Sequence, residues 1–204
     1  MKLEIFQVDA FTSVPFGGNP AAVVPLQTWL ADDLMQDIAA QNNLSETAFF
    51  VKERDRYHIR WFTPTMEVNL CGHATLASAH VIFNELELEK NSIVFHSDKS
   101  GALGVERRDG RLVLDFPAYQ ITEIEQSDAL AQALGKVPVK VWSAINDGVM
   151  VRLETEQDAR NLEPDFHALA KLEYERVYVT AAGETCDFAS RMFAPKIGIA
   201  EDPV

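Results

Sequence analysis

Residues 60–75 read RWFTPTMEVNLCGHAT, and the rest of the predicted fold is built around them. Apolar and polar residues alternate from Tyr57 to Trp61, which predicts a β-strand over 57–63, and the alanine-rich segment 74–86 predicts a buried α-helix. The corner between them holds Cys71, Gly72 and His73. A thiol, a glycine and an imidazole thus lie at the predicted start of a helix, where the first backbone N–H groups have no partner within the helix. This position favours a site for an anion and a proton carrier.

The bulk composition is that of an ordinary globular protein. The chain has 204 residues, 47% hydrophobic and 24% charged, which is enough to bury a core in one large domain or two small lobes. Its 18 basic and 31 acidic side chains give a net charge of −13. A surface this negative repels phosphate backbones and anionic lipids, so we expect neither a nucleic-acid nor a membrane partner.

The cysteine count and the amino terminus predict a cytoplasmic protein. Residues 1–9 alternate as in a first strand and lack the apolar run of a signal peptide. No segment approaches 18 uninterrupted apolar residues, so no membrane-spanning helix is expected. Cys71 and Cys186 are far apart and without metal-ligand spacing, which is typical of a reducing compartment.

The pattern of predicted elements begins again after Phe116, which predicts two lobes, 1–116 and 117–204. Strands are predicted at 1–9, 21–24, 44–51, 57–63, 93–96, 102–107 and 112–116, and a hairpin turn at 108–111. A helix with Leu30, Leu34 and Ile38 ends near Asn43. In the second lobe, helices are predicted at 128–134, 156–162 and 165–172, and strands at 177–180, at 187–193 and on both sides of a break at 146–148.

Part of the quoted stretch recurs 131 residues later. Arg60, Phe62, Pro64 and Val68 are matched by Arg191, Phe193, Pro195 and Ile199. This register predicts a duplicated lobe and places Asp202 opposite Cys71 in a shared cleft. A long apolar helix follows Cys71, but only two residues follow Asp202. We therefore expect a second lobe without its central helix, in a piece of a longer protein, and the alternative is a naturally short second lobe.

Glu46 is the first candidate for acid–base chemistry. In a strand over 44–51, alternation puts it on the same face as Ala48 and Phe50, which is apolar. Burial raises the pKa of a carboxyl and allows proton transfer near neutral pH. The alternatives are a solvated face, or a structural carboxylate that accepts hydrogen bonds from nearby N–H groups.

The other candidates each have two interpretations. His73 either exchanges a proton with Glu46 and binds an anionic substrate, or folds back on the helix start. Cys71 is either an acid/base thiol or nucleophile, favoured by the helix N-terminus, or a small apolar filler. Gly18 and Asn19 either bring backbone donors to a ligand or form a plain tight turn.

The histidines do not predict a metal site. Apart from His73, the chain has four histidines, and they show no metal-ligand spacing among themselves: His58, His80, His96 and His167. His80 follows His73 by seven residues, but no third ligand accompanies them, so no metal is expected.

Together the motifs resemble the phenazine-biosynthesis isomerase-like (PhzF-like) family, nearly from end to end. They are DAFT at 9–12, FGGNP at 16–20, SETAF at 45–49, FTP at 62–64, EV at 67–68, CGHAT at 71–75, Arg191, FAP at 193–195, GI at 198–199 and EDPV at 201–204. The resemblance implies an α+β fold similar to diaminopimelate epimerase: two pseudo-symmetric lobes, each a curled, mostly antiparallel sheet around a central helix. Here the second lobe would be incomplete, since family members continue with a further turn and helix.

The resemblance also implies roles for individual residues. Glu46 matches the principal acid/base carboxylate, and His73 and Asp202 match its partners. The expected substrate-binding residues are Gly72, Ser45, Asn19 and Gly18. In the named member, a dihydro-hydroxyanthranilate is isomerised by moving a proton between ring carbons without metal or organic cofactor. We accordingly expect a small-molecule substrate, no cofactor and a homodimer.

Three functions remain open at this point. The first is a cofactor-independent isomerase of a small carboxylated, cyclic substrate, with Glu46 as acid/base. The second is an amino-acid racemase or epimerase that acts through Cys71, although related epimerases use two opposed cysteines and this chain has Asp202 at the predicted opposite position. The third is a non-catalytic ligand-binding or scaffold protein, suggested by the missing end.

Overall fold

The chain folds as two compact units, Met1–Pro117 and Ala118–Val204. The computed structural model describes residues 2–118, 120–144 and 148–202. The predicted strand start at Met1, the break at Asn146 and Asp147, and the last two residues, Pro203 and Val204, lie outside the described residues. Within the described ranges, no helix is long and apolar enough to cross a membrane.

The first unit is built on one large, mostly antiparallel sheet. Its strand order is β1-β2-β3-β4-β6-β7-β8, with β5 paired to β4, and the β2–β3 and β4–β6 pairs are parallel. The strands are β1 Phe6–Ala10, β2 Asn19–Leu26, β3 Glu46–Glu53, β4 Arg56–Phe62, β5 Glu67–Val68, β6 Ser92–Ser97, β7 Gly101–Arg108 and β8 Arg111–Asp115.

A central helix, α2 (Gly72–Val81), lies inside this sheet, as predicted. It contacts β1 and β8, the two edge strands, as well as β2 and β3, so the sheet curls around it. Small buried residues, among them Ala74 and Ala77, let the strands approach closely on several sides. A π-helical turn, Ile82–Leu86, continues it.

The opposite face of the sheet carries the other helix of this unit, α1 (Asp32–Asn42). Met35 and Ala39 of α1 pack with Phe49 and other apolar residues in a separate core. The helix ends at Asn43, which adopts the left-handed conformation typical of a helix terminus, with φ of 52°. Because α1 and α2 cover opposite faces, β3 is buried on both sides.

The second unit has a six-stranded sheet in the order β14-β13-β12-β11-β10-β9. Its strands are β9 Thr122–Glu123, β10 Lys140–Ala144, β11 Gly148–Arg152, β12 Arg176–Ala182, β13 Phe188–Ala194 and β14 Ile199–Asp202, and its helices are α3 Asp128–Leu134, α4 Glu156–Arg160, α5 Phe166–Leu169 and a 3₁₀ turn, Pro195–Ile197. The helices and one sheet face form a single core around Leu130, Val151 and Val179. The two sheets confirm the α+β class.

The other face of the second sheet carries a row of large side chains that are only half-buried. Trp142, Met150, Tyr178 and Met192 occupy paired positions on neighbouring strands. In the first unit the matching layer of the sheet is filled by α2. The second sheet is thus less complete than the first.

Both units use the same local arrangement at their repeated strand. In β4, Arg60 lies over the Phe62 ring at 5.2 Å and donates two hydrogen bonds of 2.8 Å to Glu67. In β13, Arg191 lies over Phe193 at 4.9 Å and donates hydrogen bonds of 2.6 and 2.8 Å to Glu201. The repeated arginine and phenylalanine therefore share these two contacts, whereas Nη1 of Arg60 donates to Asp32 and Nη1 of Arg191 donates to main-chain carbonyls.

Strand pairing corrects the predicted register beyond the repeated proline. Trp61 pairs with Val68, whereas Met192, its counterpart, pairs with Asp202. Asp202 therefore takes the place of Val68, and its predicted equivalence with Cys71 is wrong. The 3₁₀ turn Pro195–Ile197 lengthens the second connection, so that Glu201 lies ten residues after its arginine partner and Glu67 seven after its own.

Other differences lie at the ends of elements. The first strand begins at Phe6, not at residue 1, because the ladder with β2 starts with the pair Phe6↔Val23. The strand predicted at 21–24 extends over Asn19–Leu26, since it is paired on both sides. The hairpin at 108–111 is confirmed: Asp109 and Gly110 both have positive φ, as a tight two-residue turn requires.

Candidate active site

Glu46 is a carboxylate buried in the core of the first unit. It is the first residue of β3 and is 6% exposed. Ala48 and Phe50, on the same strand face, belong to the core that surrounds α2. The prediction of an apolar face is confirmed, and the solvated alternative is wrong, because α2 covers this side of the sheet.

His73 lies in the first turn of α2 and points toward Glu46. Its Nε2 is 3.4 Å from Oε2 of Glu46, and its side chain is 2% exposed. Burial lowers the pKa of His73 from 6.5 to about 4, because a charged imidazolium loses its hydration there. The imidazole is therefore neutral near pH 7 and can donate a proton from one nitrogen and accept at the other.

Cys71 immediately precedes α2 and contacts the same imidazole. Its Sγ is 3.4 Å from Nδ1 of His73, and the residue is 6% exposed. The backbone at Cys71 is extended, and its carbonyl accepts hydrogen bonds from the N–H and the hydroxyl of Thr75, at 3.3 and 2.6 Å. These bonds hold the thiol at the helix start, where it was predicted.

The carboxylate, the imidazole and the thiol form one buried cluster. Glu46, Cys71 and His73 each offer one metal-binding atom, and the three atoms lie within 4.8 Å of one another. The histidine-spacing argument missed this cluster because its members come from a strand and a helix start 25 residues apart. Chemically, it is a row of three groups that each bind and release a proton.

Asn19 is the first residue of β2, and Gly18 immediately precedes it. Asn19 is completely buried and precedes by two residues Ala21, the strand partner of Glu46, so its side chain shares that sheet face. Gly18 has a φ of +73°, and a Cβ there would lie 2.1 Å from the Ala10 carbonyl oxygen. The tight-turn interpretation therefore explains Gly18.

The remaining predicted residues are placed differently from one another. Gly72 is the first residue of α2, and Ser45 is half-buried immediately before Glu46. Asp202 belongs to the second unit, where it ends β14 and is 5% exposed. Its expected partnership with Glu46 and His73 remains a prediction.

Trp61 is a residue that sequence reasoning did not single out. It lies in β4, is 1% exposed and pairs with Ala48 of β3. Ala48 is two residues from Glu46, so the two side chains are on the same face of β3. Among the described residues its indole Nε1 has no hydrogen-bond partner. A tryptophan in the strand that leads into the Cys71–His73 corner is the signal that could have drawn attention to it.

Comparison with known proteins gives concordant matches. The family described as phenazine biosynthesis-like protein (PhzC-PhzF) matches residues 8–204. An uncharacterized isomerase of Pseudomonas aeruginosa is 54% identical over 204 residues, covering 100% of this chain and 77% of the relative. A crystal structure of a PhzF family protein from Enterococcus faecalis superposes with a TM-score of 0.87 at 40% identity, covering 100% of this chain and 78% of the other.

A more distant neighbour shares the fold. The structure of a predicted epimerase from Pseudomonas aeruginosa matches with a TM-score of 0.72 at 19% identity, covering 98% of this chain and 76% of the other. The two-unit α+β architecture therefore extends beyond sequences with clear similarity.

Proposed function

This chain belongs to the phenazine biosynthesis-like protein family, and from that premise we propose that it is an isomerase that moves a proton on a small carboxylated, cyclic substrate. The reaction uses Glu46 as acid/base, assisted by His73 and Asp202, and no metal or organic cofactor. Relatives named as isomerases support the reaction class. Cys71 and Cys186 form no disulfide in the part of the chain that the structure describes, which supports a reducing, cytoplasmic location.

The buried contact between Glu46 and His73 carries this proposal. The Glu46 carboxylate removes a proton from one substrate carbon, and the C–H electron pair enters the conjugated system. Protonated Glu46 then returns a proton to another carbon, so the substrate is isomerised without net change in composition. The neutral His73, 3.4 Å away, donates a hydrogen bond to Glu46 when the carboxyl is ionised and accepts one when it is protonated.

The start of α2 is suited to the substrate carboxylate. Gly72 opens this ten-residue helix, and the backbone N–H groups of a first helical turn, with the helix dipole, favour a negative charge. Ser45 immediately precedes Glu46, and Asn19 precedes Ala21, the strand partner of Glu46, by two residues. Both are therefore proposed as further polar contacts of the substrate.

The role proposed for Asp202 rests only on its match to a site residue of the family. The corrected strand register removes the argument that Asp202 replaces an opposed cysteine. Its burial to 5% exposure is compatible with an acid/base group. We also propose a homodimer, on the basis of the family.

Turnover in D₂O tests the role of Glu46. With a dihydro-hydroxyanthranilate as probe, we expect deuterium incorporation by the unmodified protein and a loss of about 10²–10⁴-fold in Glu46→Gln, the usual range for a general acid/base. Glu53→Gln is the matched control, because Glu53 ends the same strand outside the cluster. Undiminished exchange in Glu46→Gln would remove this assignment.

A second candidate, epimerisation through Cys71, is favoured by the 3.4 Å contact of its thiol with His73. Inversion of diaminopimelate, followed by chiral separation, is the corresponding assay. Loss of inversion in Cys71→Ala but not in Cys186→Ala would support this reaction. Full activity in Cys71→Ala would exclude it.

A further inference from the structure

Three different ligand types converge at the start of α2. We propose that Glu46, Cys71 and His73 bind one Zn²⁺ ion, which inhibits the enzyme. A thiolate sulfur, an imidazole nitrogen and a carboxylate oxygen are the side-chain atoms that zinc prefers, and three protein ligands leave the fourth tetrahedral position open.

The distances in the cluster approach those of a tetrahedral zinc site. With zinc bonds of about 2.0–2.3 Å, adjacent ligand atoms lie roughly 3.3–3.6 Å apart. Sγ of Cys71 and Nδ1 of His73 are 3.4 Å apart, so they require almost no movement. A zinc ion binds one nitrogen of His73, and with one ligand atom taken from each residue the three atoms lie within 4.8 Å of one another. Separations wider than the tetrahedral value close by side-chain movement on binding.

Charge and softness favour zinc over other divalent ions. The Zn²⁺ charge is balanced by one thiolate and one carboxylate, so the loaded cluster is neutral, and a neutral group is less costly to bury than a charged one. Magnesium and calcium prefer sites made of oxygens alone. Binding replaces the Cys71 S–H bond by an S–Zn bond and releases that proton to solvent.

Inhibition is the part of this inference that rests on the proposed function. A zinc ion on Glu46 and His73 occupies the carboxylate and the imidazole that transfer the proton, and it blocks the approach of substrate to both. The metal is thus an inhibitor and not a cofactor. Metal binding itself rests on the cluster geometry alone, and it is measured without substrate.

Titration of the full chain with Co²⁺ tests the site directly. We expect one equivalent to bind with a sulfur-to-cobalt charge-transfer band, which one equivalent of Zn²⁺ removes. Cys71→Ser should lose the band, and Glu46→Gln should bind at least about 10-fold more weakly. Cys186→Ser is the matched control and should retain it, since Cys186 is an exposed thiol in the other unit.

Alkylation of the unmodified protein gives a second measurement that needs no variant. Zn²⁺ should slow the reaction of Cys71 with iodoacetamide, followed by peptide mass mapping, and leave Cys186 unaffected. Absence of a thiolate band with Co²⁺, a band that persists in Cys71→Ser, or a measurable alkylation rate of Cys71 that Zn²⁺ leaves unchanged would each overturn the proposal. Zinc binding by a protein that shows no isomerase activity in its metal-free form would instead refute only the proposed function.

Discussion

At the scale of single residues, the cluster keeps ionisable groups in a core that favours neutral ones. Burial holds the pKa of His73 near 4, which leaves an uncharged imidazole beside Glu46. A neutral partner does not lock the carboxylate into an ion pair, as an arginine would. The uncharged imidazole can therefore donate a hydrogen bond to the carboxylate from one ring nitrogen and accept one at the other.

Glu87 shows the opposite electrostatic environment, and it yields a prediction for stability against pH. Hydrogen bonds from Lys52 and Tyr57, with Lys90 nearby, lower the pKa of Glu87 from 4.5 to about 2. A folded-state pKa below the unfolded value stabilises the protein above pH 4.5, and this contribution is lost as the pH falls toward 2.

We therefore expect Glu87→Gln to lower the free energy of unfolding by about 1 kcal/mol at neutral pH, the scale of a partly exposed charged hydrogen bond. The difference from the unmodified protein should shrink as the pH falls from 4.5 toward 2. Urea unfolding at several pH values measures it. Glu89→Gln, two residues away and exposed, should match the unmodified protein, and a difference that stays constant with pH would contradict this account.

At the scale of elements, α2 is the central feature of the first unit. It is enclosed by strands that include both edges of one sheet, so its closely packed positions Ala74, Ala77 and Ala79 carry small side chains. The same enclosure places the start of the helix, with Cys71 and His73, against Glu46 of β3. Packing of this helix and assembly of the candidate site are consequently the same structural event.

Helix α2 should not tolerate a larger side chain at Ala77, which is 1% exposed. We expect Ala77→Leu to destabilise the protein by about 1–3 kcal/mol, because inserted methyl groups displace the surrounding strands. Ala40→Leu in α1, at an exposed position, is the control and should change stability by less than about 0.5 kcal/mol. Thermal unfolding followed by circular dichroism measures both, and equal stabilities would contradict the enclosure of α2.

At the scale of the whole molecule, the net charge of −13 sets which large partners are acceptable. We expect no retention on heparin and no shift of duplex DNA in a gel at low salt, where electrostatic attraction is strongest. Retention on an anion exchanger is the positive control. Binding to heparin that weakens with added salt would reveal a local basic surface and contradict the prediction.

Much of the local structure follows from the sequence. The turn at 108–111 was predicted from Asp109 and Gly110, and the apolar face of Glu46 from the alternation of its strand. Both signals depend on neighbours in the chain, since turn conformation and side-chain alternation are local backbone properties. The apolar character of α2 was visible for the same reason, whereas its bounds differ from the predicted 74–86: the α-helix is Gly72–Val81, and Ile82–Leu86 is a π-helical turn.

Contacts between segments that are distant in sequence could not be predicted from the sequence and are defined only by the tertiary structure. The 3.4 Å contacts of His73 with Glu46 and with Cys71 depend on how β3 packs against α2, which no local pattern specifies. The equivalence of Asp202 with Val68 depends on hydrogen-bond register after an added turn, and an ungapped repeat predicted it wrongly. Periodicity predicts which face a residue occupies, whereas pairing and packing between segments select the residue that lies opposite.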